Sequence, residues 1–462
     1  MDCLLESAQC SERMNEPDGD RDGPNPGDLA HKPKLARRIG VFDATMLVMG
    51  GIIGSGIFVN PYVVARQVHT PALILGAWVA GGLTALAGAF IYAELAVLRP
   101  HLGGQYAYLR DAYHPLIAFL YGWALLLVMQ TGGMAAVAVT FVRYAKQLVN
   151  FRIPEAAAAA TVLMLLSCIN CLGVVLGSKL QSLLMIVKIA TIAGLIGIGF
   201  TATPVVRIDS SPGLNRRSMV GFGAALIPVL FAYGGWQTAS FMSGEMREPR
   251  RDLARALVFG VVGVTLVYLA VNLVCVRGLG PQGLAATDAP VYTLISGIVG
   301  TAGARFMSFA IAVSTLGFLS QGILTAPRVY FAMANDGLFF RSIGLVTRTT
   351  HAPYAAILLQ GFLASLIAVV GAYEQILSYV VSIDFIFFGL TGLALYVFRR
   401  RAGPGDAFRT PLHPFTTFFF VTACWTVVIA SFYHYPRNCF TGLTFLLAGV
   451  PVYFYWSRRK RV

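Results

Sequence analysis

Charged side chains are scarce in this chain of 462 residues, because Asp, Glu, Lys and Arg together account for only 12%. Soluble proteins carry about 25%, so the composition excludes an ordinary water-soluble domain. Hydrophobic residues make up 56% of the chain, and the mean hydropathy is +0.69. This balance is typical of an integral membrane protein.

Residues that bind metals or carry out catalysis are also few and scattered. The seven histidines fall in predicted loops or at helix ends, and among the seven cysteines only Cys168 and Cys171 are spaced like metal ligands. That pair lies in an apolar segment without further His or Cys, which favours packing of small side chains between helices over a zinc or redox site. No Ser/His/Asp arrangement emerges. We therefore expect no metal, no cofactor and no enzymatic activity.

Long apolar stretches fill most of the chain. A helix needs about 20 apolar residues to cross a bilayer, and about twelve such stretches follow residue 38. The sequence therefore predicts an all-α integral membrane protein in contact with lipid along its length. Residues 1–38 are rich in Asp, Glu, Pro and Gly, which predicts a disordered cytoplasmic tail.

Positive charge is concentrated between the apolar stretches. The formal net charge of +14 would suggest a nucleic-acid partner in a soluble protein, but here the basic residues cluster at helix ends, for example around Arg37, Arg250 and Arg400. If the N-terminus lies in the cytoplasm, these clusters and the basic tail 458–462 all fall on the cytoplasmic side of the membrane. The positive-inside rule then predicts a cell-membrane protein with both termini in the cytoplasm and no nucleic-acid partner.

Glycines interrupt two of the predicted spans. The first span contains Gly50-Gly51-Ile52-Ile53-Gly54-Ser55-Gly56-Ile57-Phe58, and the sixth contains Phe231-Ala232-Tyr233-Gly234-Gly235-Trp236. Either cluster alone also fits close packing of a neighbouring helix. Unwound backbone inside a bilayer is tolerated where it lines a cavity, and two interruptions half a chain apart indicate a carrier with inverted repeats. We predict a core of ten helices in residues 39–400, arranged as five plus five, and helices 11 and 12 in residues 401–457.

Broken helices offer backbone groups to a substrate. The amides of Ser55, Gly56 and Ile57 lie at a half-helix N-terminus, which suits a carboxylate. Unpaired carbonyls at the opposing C-termini suit an ammonium group. These carbonyls are predicted at Ile52, Phe231, Ala232 and Gly234. Together the two sets describe a binding site for an α-amino acid.

The motifs resemble the amino acid–polyamine–organocation superfamily, and within it the L-type amino acid transporter branch. The resemblance rests on residues 54–58, 231–236 and 324–334, with further support from 103–108 and 245–256. It implies a LeuT-type fold with twelve transmembrane helices, of which the first and sixth are broken. It also implies that backbone groups at the breaks capture the α-carboxyl and α-amino groups of the substrate.

Lys188 is the only Lys or Arg that we assign within a span, and an intramembrane charge is functional by default. It matches a lysine in the fifth helix of the branch, and the resemblance implies that its ammonium takes the place of a sodium ion and tethers the broken first helix, with Ser314 as its predicted partner. Snorkelling to the headgroups is the alternative, but Lys188 lies roughly 14 Å along the helix from Lys179. A fixed cation argues against a sodium requirement, whereas titration of Lys188 leaves proton coupling open.

Asp384 is the second intramembrane ionisable residue, and the sequence leaves open whether it relays protons or only fixes a helix. Side-chain specificity is assigned to residues on helices three, six and eight. These residues are Gln130, Trp236, Gln237 and Phe318. No acid stands among them, which favours a neutral substrate over a dibasic one.

Animal members of the branch carry a cysteine after helix three that links them to a heavy chain. Residues 146–152 contain no cysteine, so no disulfide-linked partner is expected and the chain looks like a prokaryotic, stand-alone member. The sequence thus predicts a sodium-independent transporter of neutral L-amino acids that works as an exchanger or a facilitator by alternating access. A proton-coupled symporter of amino acids or amines is the alternative. A membrane sensor that binds without translocating is a second alternative.

Overall fold

The computed structural model describes residues 37–99, 103–149, 151–202, 216–347, 349–371, 373–401, 408–434 and 436–459. Within these ranges the regular secondary structure is helical, apart from one isolated bridge between Ile39 and Met246, so the predicted all-α class is confirmed. Most of the predicted N-terminal tail and the last residues of the basic tail, 460–462, lie outside the described residues.

The α-helices are numbered in chain order. They are α1 Val41–Ile52, α2 Gly56–Gln67, α3 Pro71–Leu98, α4 Gln105–Ala112, α5 Pro115–Ala124, α6 Gln130–Leu148, α7 Glu155–Cys171, α8 Val174–Ala202, α9 Arg216–Ala232, α10 Pro249–Ala286, α11 Pro290–Val299, α12 Thr301–Thr325, α13 Pro327–Asn335, α14 Tyr354–Val370, α15 Tyr373–Arg401, α16 Phe415–His434, α17 Pro436–Leu447 and α18 Gly449–Arg459. A π-helix, Leu125–Met129, joins α5 to α6, and 3₁₀ helices form at Trp236–Glu245 and Arg341–Gly344.

Nine helical segments of the described chain are long and apolar enough to cross a bilayer, and the bent pair α1 and α2 makes a tenth. Two further apolar helices, α7 and α14, have 17 residues each. The protein is therefore a multi-pass membrane protein. Exposed leucines, isoleucines and phenylalanines cover the outer faces of the helices, as expected for side chains in contact with lipid.

Helix α8 shows how the sequence separates its lipid-facing side from its interior side. Leu183 and Ile186 are 58% and 50% exposed, whereas Lys188 is fully buried. Small residues let interior helices approach one another closely. At the contact between α3 and α10, for example, a Cβ added at Gly82 would lie 2.5 Å from the side chain of Thr265. Helix α3 packs along α10, α6 packs against α12, and α1 lies between α8, α10 and α12. The C-terminal end of α1, where the first glycine-rich segment begins, is therefore surrounded by other helices.

The segment before α1 is tied to the end of the 3₁₀ helix Trp236–Glu245. The amides of Arg38 and Ile39 donate to the carbonyl of Glu245 over 2.9 and 3.0 Å, and the amide of Arg247 donates to the carbonyl of Ile39 over 2.9 Å. The side chain of Glu245 forms a fully buried ion pair with Arg328 of α13. These contacts couple the start of the first broken helix to the end of the second.

Candidate substrate site

Both glycine-rich segments are breaks in the helices. Helix α1 ends at Ile52 and α2 begins at Gly56, with a bend of 43° between them. Helix α9 ends at Ala232, and after a short turn the chain continues as a 3₁₀ helix rather than an α-helix. The turn includes Gly235 at φ +101°, a conformation that glycine adopts without steric cost.

The two breaks touch each other through their backbones. A Cβ added at Gly51 would lie 2.6 Å from the carbonyl oxygen of Gly235, and a Cβ added at Gly235 would lie 2.0 Å from the carbonyl oxygen of Gly51. Beside this contact, Gly56 faces Ala232, where an added Cβ would be 3.5 Å from the alanine methyl. Glycine is therefore required at 51 and 235, where the backbones cross, and the crossing brings both sets of unwound backbone groups together.

Three consecutive carbonyl groups of the first break are held by three different helices. The carbonyl of Ile52 accepts from the Tyr268 hydroxyl of α10 over 3.0 Å, and the carbonyl of Gly54 accepts from the Ser314 hydroxyl of α12 over 2.9 Å. Between them, the carbonyl of Ile53 accepts a hydrogen bond from the Lys188 ammonium of α8. Lys188 and Ser314 therefore bind adjacent carbonyls. The buried ammonium points to the break and not to the membrane surface.

Tyr268 connects the two breaks and was not singled out from the sequence. Its hydroxyl lies within hydrogen-bond distance of two carbonyl oxygens, at 3.0 Å from Ile52 and 3.1 Å from Ala232. These two carbonyls were predicted to be unpaired, as was that of Phe231, which accepts from the amide of Gly234 over 3.0 Å; the prediction is wrong for all three, because nearby donors reach them. The side chain is fully buried. The only local signal is a polar-tipped aromatic within the aliphatic run 264–271 of α10, since a buried tyrosine hydroxyl usually finds a partner.

We expect Tyr268→Phe to lower the amino acid transport predicted from the sequence about tenfold. The phenyl ring keeps its edge contact with Trp78, whose centroid is 5.5 Å away, whereas both carbonyls lose their shared donor. Leaving a buried acceptor unpaired costs about 1–3 kcal/mol, and about 1.4 kcal/mol corresponds to a factor of ten. Uptake into proteoliposomes measures the loss, and Tyr455→Phe, which removes the hydroxyl of an exposed tyrosine, is the matched control. Unchanged uptake would show that the shared hydrogen bond has no role in transport.

The amides at the start of α2 are without backbone partners. In the described part of the chain, no backbone carbonyl accepts from the N–H groups of Ser55, Gly56 or Ile57. The first amides of a helix carry the positive end of its dipole. This end of α2 therefore has the electrostatic character that favours an anionic group.

A cavity of about 230 Å³ lies between the breaks and α6, α12 and α15. Most of the residues predicted as site residues line it: Ile52, Ser55, Gly56, Gln130, Phe231, Ala232, Gly234, Gln237, Phe318 and Asp384. Ile57, Trp236, Lys188 and Ser314 are not among its lining residues. Lys188 and Ser314 instead donate hydrogen bonds to backbone carbonyls of the first break.

Trp236 was predicted as part of the side-chain pocket, but the structure places its indole behind the wall. The indole meets the ring of Tyr92 edge-on at 4.7 Å and stacks on Phe388 at 5.7 Å between centroids. Gly88 of α3 makes room for it, because a Cβ there would lie 2.6 Å from the indole. Of these two stacked rings, Phe388 lines the cavity and Trp236 does not.

Several polar wall residues were missed or are used differently from the prediction. Gln237 accepts from the amide of Gly235 over 3.0 Å and so supports the second break. Gln321, not predicted, lines the cavity and donates to the Thr238 hydroxyl over 2.5 Å. Gln130 directly follows the π-helix Leu125–Met129, a distortion found frequently at functional sites. The sequence of α5 and α6 gives no evident signal for that distortion.

Asp384 is the acidic residue of the cavity wall. The preference for a neutral substrate was predicted because no acid stands among the four side-chain pocket residues. The structure adds a carboxylate to the same wall, so this premise does not hold for the cavity as a whole. Among the described residues, no group of three or more His, Cys, Asp or Glu is arranged to hold a metal.

A cavity between two interrupted spanning helices is the arrangement of a membrane carrier, and the fold and the site thus define a multi-pass transport protein. The chain belongs to the amino acid permease family, whose model matches residues 39–454. Within the amino acid–polyamine–organocation superfamily its relatives belong to the L-type branch, so the resemblance noted in the sequence is confirmed. This is a family of transporters and not of enzymes.

Curated relatives are similar over nearly the whole chain. The serine/threonine exchanger SteT of Bacillus subtilis is 29% identical, over 92% of this chain and 98% of its own length. The human large neutral amino acids transporter small subunit 2 is 29% identical, over 92% of this chain and 82% of its own length. The human Asc-type amino acid transporter 1 is 28% identical, over 95% and 86% respectively. These relatives support amino acid transport as the general activity.

Proposed function

We propose that the protein is a sodium-independent amino acid transporter of the cell membrane, working as an exchanger or a facilitator. The observation that carries this proposal is the clamp on the first break. A lysine ammonium, a serine hydroxyl and a tyrosine hydroxyl hold three consecutive carbonyls there. A fixed protein cation at this position leaves no need for a sodium ion to organise the unwound segment.

The substrate is held by backbone groups at the breaks. Its carboxylate binds the free amides of Ser55, Gly56 and Ile57 at the start of α2, where the dipole favours an anion. Its ammonium binds the carbonyls at the helix ends. These carbonyls are those of Ile52, Phe231, Ala232 and Gly234. The hydrogen bonds from Tyr268 leave room for the substrate, because each carbonyl oxygen has two lone pairs.

Neutral L-amino acids belong to the substrate set. Aliphatic and aromatic side chains, such as Leu125, Val137 and Phe318, form much of the wall, and Gln130 and Gln237 are uncharged polar residues. The names of two relatives, a serine/threonine exchanger and a large neutral amino acids transporter, support the same class of substrate.

The proposed architecture has twelve transmembrane helices in a LeuT-type fold with two inverted repeats of five. The ten spans become twelve when α7 and α14 are included, since about 17 residues is the shortest length that crosses a bilayer. Pairing supports the repeat: α3 packs on α10, α6 on α12, and α7 on α14, which joins the second, third and fourth spans to the seventh, eighth and ninth.

We propose alternating access by motion of the two broken helices together. Their halves on one side are joined by Asn60 of α2, which donates to the carbonyl of Pro228 in α9 over 2.8 Å. Their other halves are joined by the paired backbones of Ile39 and Met246. A substrate that bridges both breaks stabilises the closed state, and only differential binding of this kind shifts such an equilibrium.

Both termini lie in the cytoplasm in this proposal, as the basic clusters between the spans favour. No disulfide-linked heavy chain is needed, because residues 146–152 contain no cysteine. The human large neutral amino acids transporter is named as a small subunit, and in this proposal the present chain differs from it by working without a covalent partner.

Uptake into proteoliposomes tests the proposed function. Radiolabelled leucine, serine and alanine are offered to vesicles that are either empty or loaded with unlabelled amino acid. Uptake that is accelerated by internal amino acid identifies an exchanger, and equal uptake into both kinds of vesicle identifies a facilitator. Uptake that requires an inward proton gradient would establish the symporter instead. Binding without uptake under every condition would establish a sensor.

A further inference from the structure

Asp384 lies on α15 and lines the central cavity together with its neighbours Val380, Val381, Phe385 and Phe388. Its Oδ1 is buried and has no hydrogen-bond partner among the described residues. Glu94 of α3, another buried acid, is by contrast paired with Arg399 through two hydrogen bonds. Asp384 is therefore a carboxyl group in the protein interior that has no ion-pair partner among the described residues.

The charges around Asp384 do not compensate for a carboxylate. Within the described residues, no Lys, Arg or His lines the cavity. The groups that interact electrostatically with Asp384 are the phenols of Tyr92 and Tyr121 and the thiol of Cys424, none of which carries a positive charge. Lys188, the buried cation of α8, is engaged with the carbonyl of Ile53.

A buried carboxylate without a partner is costly, and proteins therefore pair such groups. In a carrier the partner can come from the substrate. Four phenylalanine rings share the cavity wall with Asp384, at positions 231, 318, 385 and 388. Aromatic faces attract cations, so the wall combines two features that favour a positive charge and, in its described part, no basic group that opposes one.

We propose that Asp384 forms a side-chain subsite for a cationic group, so that the transporter accepts basic amino acids such as lysine in addition to neutral ones. This rests on the proposed function, in which the α-ammonium and α-carboxylate are held by the backbone of the two breaks. The α-ammonium is thereby satisfied elsewhere, and Asp384 receives the second ammonium, at the end of the side chain.

Lysine and norleucine form a matched pair of probes, because norleucine has the same carbon chain without the terminal ammonium. Competition of each against radiolabelled leucine is measured in proteoliposomes that contain the wild type, Asp384→Asn or Asp384→Glu. We expect Asp384→Asn to weaken competition by lysine at least tenfold and competition by norleucine less than threefold. Asp384→Glu retains the charge and is expected to retain competition by lysine. Asp288→Asn, which removes an exposed carboxylate, is the control.

The outcomes separate this proposal from the proposed function. If Asp384→Asn weakens competition by lysine and by norleucine equally, the cationic subsite is overturned. The same holds if lysine does not inhibit leucine uptake by the wild type. Amino acid transport remains supported in both cases. Proton-driven uptake of norleucine that Asp384→Asn abolishes would assign Asp384 to proton coupling and also overturn the subsite. If no amino acid is transported, calorimetric titration of lysine into purified wild type and Asp384→Asn decides the proposal, because loss of lysine binding in the variant alone supports it and equal binding contradicts it.

Discussion

Replacing Lys188 by alanine is expected to reduce amino acid transport by ten- to a hundredfold while the protein remains folded. The ammonium donates to the carbonyl of Ile53 in the middle of the first break and is fully buried. Hydrogen bonds to charged groups contribute about 1.5–3 kcal/mol, and about 1.4 kcal/mol corresponds to a factor of ten. Alanine removes this bond, and Gly317 beside the ammonium has no side chain that could replace it, so the break loses its central support.

Lys179→Ala is the matched control for Lys188→Ala, because Lys179 lies on the same helix α8 and is exposed. Size-exclusion chromatography and thermal unfolding of the purified variants establish that both are folded. Initial rates of leucine uptake then compare them under saturating internal substrate. Wild-type rates in Lys188→Ala would remove the lysine from the mechanism, and equal losses in both variants would assign the effect to lost charge in general.

Replacing Arg328 by methionine is expected to give the largest loss of stability. Its guanidinium and the Glu245 carboxylate are both buried, with Nε 2.6 Å from Oε1 and Nη2 3.2 Å from Oε2. Removing one partner of a buried ion pair costs about 3–5 kcal/mol because the remaining charge is left unpaired. The pair also fixes the end of the 3₁₀ helix, where the Glu245 carbonyl receives Arg38 and Ile39.

The midpoint of thermal unfolding in detergent measures this effect. We expect Arg328→Met to lower it by several degrees, and the double variant Arg328→Met/Glu245→Gln to recover part of the loss, since the unpaired charge is then absent. The exposed pair Arg66–Asp288 provides the control, because Arg66→Met removes a surface ion pair worth about 0–1 kcal/mol. Equal midpoints for Arg328→Met and Arg66→Met would show that the buried pair contributes little.

The breaks and Lys188 could be predicted because their signals are local. Glycine-rich runs inside apolar spans, such as 50–56, conflict with a continuous helix in lipid, and a lysine in the apolar run around 188 conflicts with exposure to it. Each conflict is visible without knowledge of the neighbouring helices. The same reasoning identified Asp384 as an intramembrane acid, but it did not predict that its side chain lines the cavity.

The remaining features depend on packing between distant segments. The bond from Tyr268 to both breaks exists because α10 lies beside both, and no pattern within α10 specifies that position. The indole of Trp236 turned away from the cavity because Gly88 of another helix leaves space for it. The 3₁₀ form of Trp236–Glu245 likewise has no evident local cause in its sequence. Side-chain direction within an apolar span was therefore the least predictable part of the site.

The measurement that tests the account most directly is amino acid exchange in proteoliposomes with sodium replaced by choline and the pH gradient collapsed. Leucine is loaded inside, radiolabelled leucine is added outside, and the rate is compared with that in sodium. We predict equal rates in choline and in sodium, because the Lys188 ammonium holds the first break in place of an ion. Exchange that stops in choline and returns with sodium would contradict the account.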